Sequence, residues 1–498
     1  MRILQLAALA SVLAFAPVGA AVASVEQSAE APAKEQGPLQ DYFKELNAGN
    51  YQHALKLVSK LDLRDTKEAQ GFKAALRAAA LMGLKRNDDA QKEFAEADRL
   101  SPSEPAIVWL KLETGLSLNQ LEVATTAVDT MISRFPDQAR EIDKRTMWYI
   151  LRNEPKNQQQ RNDDRRIALA RIGFGGSEGD YISQDAIRIL LKRGDFANAA
   201  DLLQYIDEPQ LIEDMLVQKR YSALWPAIET MAGPRLEKVR LTSVAVAERV
   251  SQAEPANVEK LQVLINALRH AGRLDDAIAL RSKLPANDAA MSSADEQMGW
   301  AINNLALALH EAGRADDADA LFASLNDAKM KDSNWRVSMI INRLELLVAD
   351  GKFAKADELL SATETTTATD GSPYAKQLVR RLKYCTLSGL GRKEAAAKIL
   401  PDLLEHAKDS YHATVDGLLC AGEADQAEKL VLTALSDDDF QQQFVRALQP
   451  VALTSDDPSV WDKRWKELRQ RPAIAKEFER LGRDMPAHLV PPTNSKPS

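Results

Sequence analysis

Apolar residues recur along most of the chain at steps of three and four, the spacing that lines one face of an α-helix. The stretch Ile302, Leu305, Ala306, Leu309 is one such face, and Ala356 with Leu360 begins another. A phrase is superimposed on this periodicity: a glycine, an aromatic or apolar residue two positions on, an alanine three further, then apolar residues four and seven later. It occurs as Gly49, Tyr51, Ala54, as Gly194, Phe196, Ala199, and as Gly272, Leu274, Ala277. It returns as Gly313, Ala315, Ala318, Phe322, then Gly351, Phe353, Ala356, Leu360, then Gly391, Ala396, Leu400, and Gly422, Ala427, Val431. Two further copies lack the glycine: Ala90, Phe94, Ala97, Pro102 and Ala124, Val128, Met131, Pro136.

The phrase has a physical reading. Glycine ends one helix in a tight turn, the aromatic opens the next helix and fills the space beside it, and alanine permits close approach of the backbones. Proline then stops the second helix. In this order of residues the chain resembles the tetratricopeptide repeat, over roughly residues 39–436. The resemblance implies an all-α fold, an α-solenoid in which antiparallel helix pairs wind into a right-handed superhelix whose concave groove, lined by first helices, holds partner polypeptides.

The phrase lapses between Pro136 and Gly194, where KNQQQRNDDRR is polar and reads as a loop or a solvated helix, and Gly173, Gly175, Gly176 and Gly179 crowd together. The expected division is therefore a helix-pair block over 41–145, an irregular connector over 146–190, and a second block over 191–440. Capping helices follow over 441–485, where Trp461, Trp465 and Leu468 fall on one helical face, followed by Ile474, Phe478 and Leu481. Residues 24–40 and 486–498 are expected to be disordered.

Residues 1–23 carry the marks of a secretory signal: Arg2, an apolar run from Ile3 to Ala16, and a small-x-small site at Ala21, Val22, Ala23. That predicts a periplasmic location and no integral membrane span. The formal charge of −8 disfavours nucleic acid as a partner. Glycine and proline are sparse, 22 and 21 in 498 residues, which argues against a β-sandwich with its frequent turns. The two cysteines, Cys385 and Cys420, are either buried fillers or, in an oxidising compartment, a disulfide.

Candidate chemistry is thin. Gly175-Gly176-Ser177-Glu178-Gly179 fits the nucleophile-elbow spacing, but that elbow needs a strand before it, and no β-α alternation surrounds this one. The six histidines form no H-E-x-x-H pattern and no cluster with the cysteines, so neither metal nor cofactor is expected. His406 and His412, six apart, do not share a helix face. The binding candidates come from register: Asn304 and Asn342 each lie nine residues before a repeat glycine, with Trp300, Asn303 and His310 on or near the same face. Asparagine there offers both donor and acceptor to an extended peptide, or is a solvated polar position. Two functions follow from these features. One is a non-enzymatic scaffold for protein partners in an envelope, export or polysaccharide-secretion assembly. The other is an accessory protein for glycan or peptidoglycan handling with weak hydrolytic activity.

Overall fold

The computed structural model describes residues 36–63, 65–154, 156–175, 180–284, 295–326, 335–450 and 460–490. Among them lie 27 α-helices and no β-strand. The chain divides into two compact units, residues 1–189 and 190–498.

The first unit contains α1 (Gln36–Asn47), α2 (Tyr51–Val58), α3 (Lys67–Gly83), α4 (Asn87–Leu100), α5 (Pro105–Ser117), α6 (Leu121–Arg134), α7 (Pro136–Arg140), α8 (Lys144–Arg152) and α9 (Gln159–Arg171); α10 (Asp180–Lys192) runs across the division. The second continues with α11 (Phe196–Asp201), α12 (Pro209–Val217), α13 (Trp225–Ala232), α14 (Glu237–Ala253), α15 (Val258–His270) and α16 (Leu274–Ala279). Next come α17 (Glu296–Glu311), α18 (Ala315–Asn326), α19 (Trp335–Ala349), α20 (Phe353–Asp370), α21 (Pro373–Gly389) and α22 (Lys393–Glu405). It ends with α23 (Tyr411–Ala421), α24 (Ala424–Leu435), α25 (Gln441–Ala447), α26 (Val460–Arg469) and α27 (Pro472–Leu481).

The repeated phrase is a turn. Each of its seven glycines has a φ of 70° to 84°, and the N–H following it bonds the carbonyl five residues back. Arg273 to Leu268, Arg314 to Leu309 and Glu423 to Leu418 are examples, at 2.8 to 2.9 Å. The two copies without glycine make the same turn with Lys85 (φ 61°) and Asn119 (φ 56°) at the same offset of five before the alanine. Each turn returns the chain so that neighbouring helices pack, and all nine phrase alanines are buried. The phrase aromatic also locks one pair onto the next. A Cβ on Gly83 would meet the Tyr51 ring at 2.2 Å, and one on Gly389 would meet Phe353 at 2.4 Å. Phe196, in contrast, is 54% exposed.

Three sequence expectations need correction. Helix α1 already begins at Gln36, inside the segment expected to be disordered to residue 40. The stretch 146–190 is not an irregular connector, for α9 and α10 cover most of it. Helix α9 escaped the apolar pattern because charged pairs replace part of its buried stripe. The Arg165 side chain is 1% exposed between Asp129 of α6 and Glu154, and Arg161 bridges Glu122 and Asp129. The tail expected from 486 is ordered at its start: Leu489 is 1% exposed and the Arg235 N–H bonds the His488 carbonyl at 2.9 Å.

In the second unit the last helices also pack against early ones. Arg446 of α25 bonds Asp214 and Glu213 of α12, both at 2.9 Å. The Arg483 N–H bonds the Val217 carbonyl at 2.8 Å, and its guanidinium lies over the Trp225 ring at 3.6 Å. Within the same terminal segment Trp465, Leu468, Ile474 and Phe478 are buried and Leu481 is half-buried, whereas the side chain of Trp461 lies outside the described residues. The segment expected to cap one end therefore joins both ends of this unit.

Candidate functional site

The first helices of successive pairs in the second unit each turn one face toward a common cavity of about 340 Å³. Helix α19 contributes Ser338, Asn342 and Glu345, at the i, i+4, i+7 spacing that defines one face. Helix α21 contributes Tyr374, Leu378 and Arg381 at the same spacing. Trp300 enters from α17, His412 and Asp416 from α23, and Gln443 from α25.

The cavity is built around a buried charge network. Arg381, 3% exposed, donates to Asp416 at 3.0 Å and pairs with Glu345 at 3.0 Å. Asp416 also accepts from the Trp465 indole at 2.8 Å and pairs with His412 at 3.3 Å. The His412 ring stacks on Trp465 with centroids 5.2 Å apart. Burial works against the His412 charge, but the Asp416 carboxylate outweighs it and leaves its pKa above the ordinary value. Burial likewise opposes ionisation of Asp416, and His412, Arg381 and Trp465 together hold its pKa below the usual carboxylate range. Burial, then the Glu345 carboxylate, pushes the Tyr374 phenol up. Glu345 itself keeps 42% of its side chain exposed. Below the network, Gln377 donates to Thr414 at 2.7 Å and to the Leu403 carbonyl at 2.8 Å, fixing α21 against α23.

The structure divides the predicted site residues. Trp300 and Asn342 line the cavity. Asn303 stands behind Asn342, accepting its amide N–H at 2.7 Å, and donates to Asn304 at 3.2 Å. Both Asn303 and Asn304 are buried, so Asn304 is not the solvated groove position its register suggested. His310 lies at the other end of α17, paired with Asp350 at 2.8 Å, and is not among the cavity residues. Ser177 falls outside the described residues.

Glu345, Tyr374, Arg381, His412 and Asp416 were missed as site residues. The register of positions ten before the repeat glycine, followed through the later pairs, reads Asn303, Ile341, Arg381, His412. That comparison finds two of the five.

Cys385 of α21 and Cys420 of α23 form a disulfide beside this wall, with Cα atoms 5.3 Å apart. No helix among the described residues is long and apolar enough to cross a membrane. Compared with protein-family models and with curated proteins, the sequence matches none.

Proposed function

We propose that this chain is a non-enzymatic binding protein of the tetratricopeptide type, exported to the periplasm, which holds a segment of a partner polypeptide in the cavity of its second unit. The observation that carries the reading is that cavity: first helices of consecutive pairs present Trp300, Asn342, Tyr374 and His412 to one space, beside Gln443 of α25. Side chains of this kind bind backbone amides by their polar groups and cover a ligand with aromatic area. Nine identical turns at a fixed offset support the repeat type. The signal-like start and the disulfide between buried helices support export, since disulfides persist in oxidising compartments. A scaffold for an envelope, export or polysaccharide-secretion assembly is the corresponding role.

The test is capture from envelope extract by the chain and by its Trp300→Ala and Asn342→Ala variants, with mass-spectrometric readout. The reading expects a reproducible polypeptide that both variants lose while their helical circular dichroism is unchanged. Capture that ignores both substitutions refutes the cavity as the binding site.

A further inference from the structure

The ionic groups of the cavity are two carboxylates, one guanidinium and one imidazole, and they are not equally open. Two carboxylates, Glu345 and Asp416, share the single guanidinium of Arg381. Asp416 is sealed, 6% exposed, with the Trp465 indole, His412 and Arg381 around it. Arg381 is sealed as well, 3% exposed. The most open member of the network is Glu345, 42% exposed, which pairs with Arg381 through Oε1 at 3.0 Å. Two aromatic side chains share that wall: Trp300, half-buried against the α17 core, and Tyr374, 53% exposed. Ring faces and a carboxylate together attract cations, because the ring quadrupole and the formal charge act in the same direction. The Arg381 guanidinium is covered by its own partners, and the His412 imidazole, 31% exposed, is held by Asp416.

We propose that the cavity receives a cationic group of the partner polypeptide, a lysine or arginine side chain or a free amino terminus, against Glu345 and the rings of Trp300 and Tyr374. Ser338, Asn342 and Gln443 supply neutral donors and acceptors for the flanking backbone. This inference rests on the polypeptide-binding reading and specifies the chemistry of its ligand.

The experiment is fluorescence anisotropy of the full chain with two acetylated, C-terminally dye-labelled pentapeptides, Ala-Lys-Ala-Lys-Ala and its norleucine counterpart. The lysine peptide is expected to bind about tenfold or more tightly than the norleucine peptide, a difference of about 1.4 kcal/mol. Glu345→Gln is expected to bring that ratio below about threefold, while Asp275→Asn, at an exposed carboxylate elsewhere in the unit, leaves it unchanged. If Glu345→Gln does not fold, the wild-type ratio alone decides. Equal affinity for the two peptides overturns the proposal, as does a ratio that Asp275→Asn lowers as much as Glu345→Gln. Displacement of the lysine peptide by the neutral disaccharide N,N′-diacetylchitobiose overturns it too. In each of those cases Trp300-dependent capture of a polypeptide leaves the broader reading standing; loss of that dependence removes both.

Discussion

Arg446→Met tests whether the terminal helices hold the second unit closed. The Arg446 guanidinium spans two acidic side chains of α12, Glu213 (5% exposed) and Asp214 (11% exposed), and also bonds the Gln210 carbonyl at 3.2 Å. Removing one partner of a buried ion pair costs about 3–5 kcal/mol. Here each carboxylate keeps a second partner: Arg240 holds Glu213 at 2.8 Å, and Gln442 holds Asp214 at 2.9 Å. Halving the cost for those fallbacks gives about 2 kcal/mol. Burial already raises the Asp214 pKa despite Arg446. Loss of Arg446 raises it further, so the destabilisation grows as pH rises above the ordinary aspartate value. The assay is hydrogen exchange by mass spectrometry on α12 and α25. Their amides should exchange about 30-fold faster in the variant, since 1.36 kcal/mol is a factor of ten. Asp214→Asn in the same background should recover part of the loss, giving a coupling of at least about 1 kcal/mol. Exchange within about twofold of wild type, or strict additivity of the two substitutions, refutes the closure argument.

Three further outcomes follow from local geometry. Reducing the Cys385–Cys420 bond, which closes a separation of 35 residues, should lower stability by about 4 kcal/mol on loop entropy; a Cys385→Ala/Cys420→Ala chain should match the reduced protein and ignore reductant in thermal melts. Lys85→Gly should raise stability by about 1 kcal/mol, because a lysine held at φ 61° is strained. Asn119→Gly should move it by less than about 0.5 kcal/mol, since asparagine tolerates that region, and urea titrations of the two variants make the comparison. Burial and the guanidinium groups of Arg269, Arg240 and Arg446 push His270 down to about 3. The unfolded chain therefore takes up a proton near pH 6.5 that the fold refuses. Stability should fall as pH drops from about 6.5 toward 3, by at most about 1.4 kcal/mol per unit, and His270→Gln should flatten that slope in melts across the range.

The helix pairs were legible because their turn is written in side-chain size. Gly313 and Ala318 are needed wherever a chain must reverse tightly and then pack a backbone close to its neighbour, so the fixed offset survives even where Lys85 or Asn119 replaces the glycine. Helix α9 was legible only as one of two readings of a polar run, because its inward positions are held by ion pairs such as Arg165 with Glu154, which hydrophobic periodicity cannot register. Closure of the second unit was hidden for a different reason. Arg446 and Asp214 are 232 residues apart, and nothing local to either residue marks the other as its partner. The cavity was half visible: Trp300 and Asn342 came from register within one pair of repeats, whereas Glu345, Arg381 and Asp416 belong to a network that exists only after three helices pack. Asn304 shows the limit of register alone, since a helix position one step from the cavity wall is already buried.

The most direct measurement places a photo-crosslinking amino acid, p-benzoylphenylalanine, at Tyr374 and, as a control, at the exposed Tyr149, 42% accessible in the first unit. Irradiation in cells of the source organism, followed by mass spectrometry, reports what occupies the cavity. The account predicts a reproducible polypeptide adduct at residue 374 that is absent at residue 149 and lost when Trp300→Ala is added. The same adducts at both positions, or none at residue 374, would contradict it.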